Sequence, residues 1–364
     1  MQQPLRIGLI GGTPGRGWAS RTHVPAYRAL AEVELAAICT AHADTAAAAA
    51  QAHGVTEYYD NYLDLIQSPN VDVVSVLTKT RSHHEIVKAA IEAGKPVYSE
   101  WPLDTSEERA KELAALAKAK GLRHAVGLQG RYSPTLMHMK ALIEEGFLGE
   151  VLTFNLSVFL SGAFGPRASA ERFQAAKESG SGTLTVGLGH SVDALRNVLG
   201  EVDEVSGLVD TKIKEWVLTD TKEVIPVTAP DNVAVIARLK SGATGTMQAS
   251  HTAPDGRGFR LEVYGTEGRL TLVTSGMVQV STLTLTSAKP GESEQVIKVP
   301  EHLKWAPVED ESLSAFNMAQ LFSRFAAAIR EGRDFSPGFE EAVTLHHLIE
   351  TIDRSSVTEE RLRI

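Results

Sequence analysis

A single cysteine, Cys39, in 364 residues leaves no partner for an internal disulfide, so the fold must hold without covalent staples and suits a reducing compartment. Long apolar runs are missing too. Leu5 to Ile10 runs straight into a glycine-rich stretch, too short for a secretory leader core or a membrane span, and no later run reaches the roughly 18 apolar residues of a span. A cytoplasmic chain with no membrane partner is expected. Positive charge is also scarce: 36 Lys and Arg stand against 45 Asp and Glu, a net −9. That balance argues against direct binding of a nucleic-acid backbone, although not against a regulatory role through a protein partner. His251, His302, His346 and His347 show no metal-ligand spacing, and no metal is assigned.

What is present is patterning. A chain of this length predicts two domains. Leu5–Ile10, Glu34–Cys39, Val71–Leu77, Pro96–Glu100 and Leu122–Leu128 are strand-like and alternate with helical stretches, two of them closed by Gly54 and Gly121. Thr105 and Glu108 have capping-box spacing at the start of a helix that runs to Lys120. Such alternation predicts a doubly wound parallel sheet, a Rossmann domain over residues 1–125. Beyond it, Val151–Leu160, Val233–Leu239, Ala243–Ser250, Phe259–Tyr264 and Arg269–Val273 read as strands. Turn pairs such as Ser241-Gly242 and Glu267-Gly268 separate several of them, and helices follow at Ser312–Arg330 and Phe339–Ile352. Residues 126–364 are therefore expected to form an α+β domain with a large, mostly antiparallel open sheet, and that sheet suggests a homodimer or homotetramer face.

The loop Gly8-Leu9-Ile10-Gly11-Gly12-Thr13-Pro14-Gly15-Arg16-Gly17-Trp18-Ala19 follows a strand and precedes a helix, as a dinucleotide fingerprint requires. Its spacing is longer than G-x-G-x-x-G, so a generic glycine turn remains the alternative. Gly11, Gly12, Thr13, Gly15, Arg16 and Trp18 are the loop's cofactor candidates, with Thr40, Thr78, Thr80 and His83 at the neighbouring strand ends. The second strand ends Cys39-Thr40-Ala41-His42, without the carboxylate that holds a ribose 2′-hydroxyl in NAD sites. NAD(P) is the expected cofactor, with NADP tolerated or preferred.

Several segments resemble one family. Ser82-His83-His84, Glu92-Ala93-Gly94-Lys95-Pro96-Val97-Tyr98-Ser99-Glu100, Gly127-Leu128-Gln129-Gly130-Arg131-Tyr132-Ser133-Pro134 and Gly189-His190-Ser191-Val192-Asp193 are similar to the glucose–fructose oxidoreductase, inositol dehydrogenase and rhizopine-catabolism family, Gfo/Idh/MocA. Gly17-Trp18-Ala19, Thr22-His23 and Glu100-Trp101 resemble the subgroup of the fungal galactose-regulon repressor. The resemblance implies a Glu-Lys-Pro triplet whose lysine moves the substrate's hydroxyl proton. Here the triplet is Glu100-Trp101-Pro102, and tryptophan cannot titrate. The family's acidic residue four positions before the histidine is absent as well, since Val186 stands there.

By the same resemblance, His190 and Asp193 are the catalytic candidates, His190 as acid–base in place of the lysine. Trp101, Arg131, His190 and Asp193 are the substrate-binding candidates, while Glu100 and Trp101 lie beside the cofactor. Each has a plainer alternative: a helix-start histidine with a capping carboxylate, a solvated His-His pair, an Arg131 ion pair, a Trp18 packing anchor, a Trp101 plug. The expected function is an NAD(P)-dependent oxidoreductase acting on a hydroxyl of a sugar, cyclitol or glycoside. Two alternatives stand beside it: a non-catalytic dinucleotide-binding regulator, and a redox-neutral enzyme that uses bound NAD.

Overall fold

The computed structural model describes residues 3–12, 15, 17–308, 310 and 314–364, and the chain divides into two compact units. The first comprises residues 1–129 and 305–344, the second residues 130–304 and 345–364. The first crossing falls a few residues past the boundary expected at 125/126. The return at Trp305 is announced by no break in composition.

In the first unit, β1 (Leu5–Ile10), β2 (Val33–Cys39), β3 (Glu57–Tyr59), β4 (Val73–Val76), β5 (Val97–Ser99) and β6 (His124–Val126) form one parallel sheet in the order β3-β2-β1-β4-β5-β6. All four residues of β4 are buried, as expected of a β-branched run covered by helices on both faces. The covering helices are α1 (Val24–Ala29), α2 (Ala43–His53), α3 (Tyr62–Gln67), α4 (His83–Glu92) and α5 (Glu107–Lys120). Gly54 and Gly121 close α2 and α5 in the left-handed conformation. The N-cap of α5 is Ser106, which accepts from Arg109 N, rather than Thr105 of the expected capping box. Thr105 is instead held by the buried Asp104, whose Oδ1 accepts its N–H at 2.7 Å. The strand order reverses between β1 and β4, and doubly wound sheets bind ligands at that switch point, beyond the strands' carboxyl ends.

The second unit begins with α6 (Pro134–Glu144) and β7 (Val151–Phe159), and continues through α7 (Gly189–Leu199) and β8 (Val202–Asp210). The hairpin of β9 (Glu215–Val217) and β10 (Val224–Pro226) is a separate two-stranded sheet. Then follow β11 (Asn232–Leu239), β12 (Thr244–Ser250), β13 (Gly258–Gly265), β14 (Gly268–Thr274), β15 (Thr284–Ala288) and β16 (Gln295–Val296). After α8 (Ala315–Glu331), which belongs to the first unit, α9 (Phe339–Thr358) leads to β17 (Leu362–Arg363). The start expected for α8 at Ser312 lies outside the described residues.

The nine-stranded sheet runs β16-β15-β14-β13-β7-β12-β11-β8-β17. Among the described residues only β7 with β12 pairs in parallel; the other neighbours are antiparallel, β11 with β12 and β13 with β14 through tight turns. In β11 the two-residue period is complete: Val233, Val235, Ala237 and Leu239 are buried while Ala234, Ile236 and Arg238 are exposed. One face therefore carries the core of this unit.

Candidate functional site

The glycine-rich loop leaves β1 at Gly11, whose φ is +108° and whose N–H donates to Cys39 O. A Cβ at Gly11 would lie 2.5 Å from Leu77 O and 3.1 Å from Thr78 N, so only glycine lets the loop pass the end of β4. Gly12 follows, buried; Gly15, with a φ of +98°, stands in open space. Thr13 and Arg16 lie outside the described residues. The loop ends in a π-helical turn, Ala19–His23, which runs on into α1.

Thr78 Oγ is buried with no hydrogen-bond partner, an orphaned hydroxyl at the switch point. A free hydroxyl beside a glycine cradle at this place fits a dinucleotide. Thr80 is buried at the first position of the 3-10 turn that starts α4. Thr40 turns inward: its hydroxyl donates to His42 O at 3.1 Å and lies 2.6 Å from Thr45 Oγ1.

Glu100 is the centre of a buried polar cluster. His23 Nε2 lies 2.7 Å from Glu100 Oε1, the Tyr98 hydroxyl donates to the same oxygen at 3.0 Å, and the Trp18 indole also bonds the carboxylate. Burial pushes the Glu100 carboxyl up, but His23, Trp18 and Tyr98 outweigh it and hold its pKa below the usual value. Trp18 is thus an anchor for the loop, edge-on to the His23 ring at 6.2 Å. The expectation of Glu100 beside the cofactor meets a carboxylate already committed to protein donors. His23 and Tyr98 were not among the expected site residues; a buried histidine has no sequence signature beyond the Thr22-His23 match.

His83 is not solvated. Its ring lies 2.9 Å from Pro102 O and 3.0 Å from Thr78 O, tying the end of β4 to the segment after β5. Burial lowers its pKa against the pull of the two carbonyls, so the neutral ring donates to only one of them. His84 instead meets Asp104 at 2.7 Å. Trp101, where the resemblance places lysine, is 4% exposed, so its ring is buried rather than an open platform.

In the second unit, α7 continues from a π-helical turn, Thr183–Leu188, that includes Val186. His190 sits in the first turn of α7 at 7% exposure, and Asp193 is one turn on at 2%. Arg131 grips Asp193 with a fork: Nε lies 2.9 Å from Oδ2 and Nη2 2.6 Å from Oδ1. Of the two readings open for Arg131, the structure shows the ion pair, with Asp193 as its acid.

His251, which shows no metal-ligand spacing, lies just past β12. Its Nε2 is nevertheless buried without a hydrogen-bond partner, a state that costs about 1–3 kcal/mol. Among the described residues no cluster of three His, Cys, Asp or Glu side chains could hold a metal ion, and no helix is long and apolar enough to cross a membrane.

Residues 5–128 match the oxidoreductase family with an NAD-binding Rossmann fold, and residues 136–271 match the GFO/IDH/MocA C-terminal domain. The levoglucosan dehydrogenase of Pseudarthrobacter phenanthrenivorans is 30% identical over 290 residues, covering 74% of this chain and 73% of that protein. The galactose/lactose metabolism regulatory protein of Saccharomyces cerevisiae is 23% identical over 99% of this chain and 94% of its own length. A solved levoglucosan dehydrogenase in complex with NADH and levoglucosan superimposes with a TM-score of 0.87 at 27% identity, covering 100% of both chains.

Proposed function

This chain belongs to the Gfo/Idh/MocA family of NAD-binding oxidoreductases, and from that premise we propose that it oxidises or reduces a hydroxyl-bearing carbon of a sugar, cyclitol or glycoside with NAD(P). The observation that carries the reading is His190, a buried imidazole on the first turn of a helix whose next turn is fixed by the Arg131–Asp193 fork. The name of the levoglucosan dehydrogenase relative supports the carbohydrate class.

Gly11, Gly12, Thr78 and the Trp18 loop would hold the dinucleotide, whose nicotinamide supplies the two-electron chemistry when bound. His190 takes the proton from the substrate hydroxyl during oxidation and returns it during reduction. Asp193 and Arg131 act as a pair, holding α7 so that the imidazole keeps one orientation. Trp101 contributes shape and excludes water where the family lysine would carry charge. The exposed sheet face that displays Leu208 and Ile236 is the proposed dimer or tetramer surface, which light scattering of the eluted protein would reveal.

Absorbance of the reduced nicotinamide tests the reading, with NAD and NADP against sugars, polyols and glycosides. Turnover that falls about 10²–10⁴-fold in His190→Ala supports it. Trp101 favours a second reading, a dinucleotide-binding regulator without turnover. Tight dinucleotide binding, absent turnover and a stable protein partner in pull-down would establish that reading instead. Bound NAD that survives purification and is regenerated in each cycle would mark a redox-neutral enzyme.

A further inference from the structure

The backbone pins His251 from both sides: its N–H donates to Asp231 O and its carbonyl accepts from Ala163 N, both at 2.9 Å. The ring lies between two glycines. A Cβ at Gly162 would sit 3.7 Å from Nδ1, and one at Gly187 would sit 3.3 Å from Nε2. Burial and the nearby Arg167 lower the pKa of His251 against the opposing pull of Asp231, so the ring is neutral and can donate or accept one hydrogen bond at Nε2.

Arg167 shares the same corner. Its Nη2 donates to Gly162 O at 2.6 Å and its guanidinium lies 4.9 Å from the centre of the Trp216 ring, yet its Nε is buried without a partner. Two orphaned polar atoms thus share this corner, His251 Nε2 on its Gly187 side, and Gly187 precedes His190 by three residues, one helical turn.

We propose that His251 Nε2 is a specificity contact for a second hydroxyl of a polyhydroxylated substrate, with Arg167 fixing the corner that presents it. This rests on the carbohydrate reading of the site, and its test separates the two. Levoglucosan, myo-inositol and D-glucose are titrated into the dinucleotide-loaded protein while the ¹⁵N imidazole resonances are followed. The expected result is a shift of the His251 ring signal with the sugar that binds, and a rise of about tenfold in KM for His251→Asn with kcat nearly unchanged. Gly187→Ala, which keeps the ring but places a methyl 3.3 Å from Nε2, should raise KM in the same way even if the histidine variant folds poorly. A His251 shift without any turnover sustains this inference and defeats the oxidoreductase reading. Turnover with KM indifferent to both substitutions defeats this inference alone and leaves His251 a structural residue. A silent His251 signal with all three sugars also overturns it.

Discussion

The Arg131 fork closes on Asp193 with both side chains nearly out of solvent, 14% and 3% exposed. Removing one partner of such a pair strands a buried charge, which costs about 3–5 kcal/mol, whereas replacing both with apolar groups of similar volume is close to neutral. Arg131→Met should therefore lower the unfolding free energy by that amount, and Arg131→Met with Asp193→Leu should recover most of it. Denaturant unfolding of the two single variants and the double variant measures the coupling. Additive losses would mean that the fork does not hold α7.

Glu100 gives the protein an acid limb. Its folded pKa lies below the ordinary value, so its contribution to stability is full above about pH 4.5 and is lost as pH falls through the folded value. The wild type should lose stability steeply below that pH. Glu100→Gln should start lower and show a flatter acid limb, because its amide cannot match three donors. A pH series of melting temperatures for both proteins decides it; parallel curves would remove Glu100 from the account.

How far these sites were legible depends on how local their causes are. Buried strands such as Val73–Val76 declare themselves because a two-sided burial demands an unbroken apolar run. β11 does so through its alternation, and Gly54 and Gly121 through the left-handed turn each supplies. The displaced cap at Ser106 was hidden because Asp104 and Ser106 both accept from backbone N–H groups, while the Thr105 hydroxyl is spent on Asp104, which also holds His84 and Arg109. The return of residues 305–344 to the first unit was hidden because it depends on tertiary contacts. Phe322 meets Tyr27 and Tyr98, with ring centres 4.7 and 4.8 Å away, and neither contact leaves a trace in spacing. His251 left no mark of another kind: the absence of a metal pattern is silent about its buried, unpartnered Nε2.

Cys39, the lone thiol, should be inert in the native protein. Burial pushes its pKa up to about 12, helped by Asp60 and Asp64. At pH 8 roughly one molecule in 10⁴ then carries the thiolate that alkylates. Iodoacetamide should leave the native chain unmodified over hours and label one site fully in guanidinium, as read by intact mass. Rapid native labelling would show that the end of β2 opens.

The end of β2 is also where a choice between the two dinucleotides is expected to be made. Thr40 turns its hydroxyl onto His42 O and Thr45, and exposed Ala41 carries no charge, so the strand end lacks the carboxylate that excludes a 2′-phosphate in NAD sites. NAD and NADP should therefore bind within about tenfold of each other. Ala41→Asp introduces the missing carboxylate and should weaken NADP by at least tenfold, about 1.4 kcal/mol, while leaving NAD equal or tighter. Calorimetric titration of both cofactors into both proteins checks this. Much tighter NAD binding by the unaltered chain would show that discrimination comes from elsewhere in the loop.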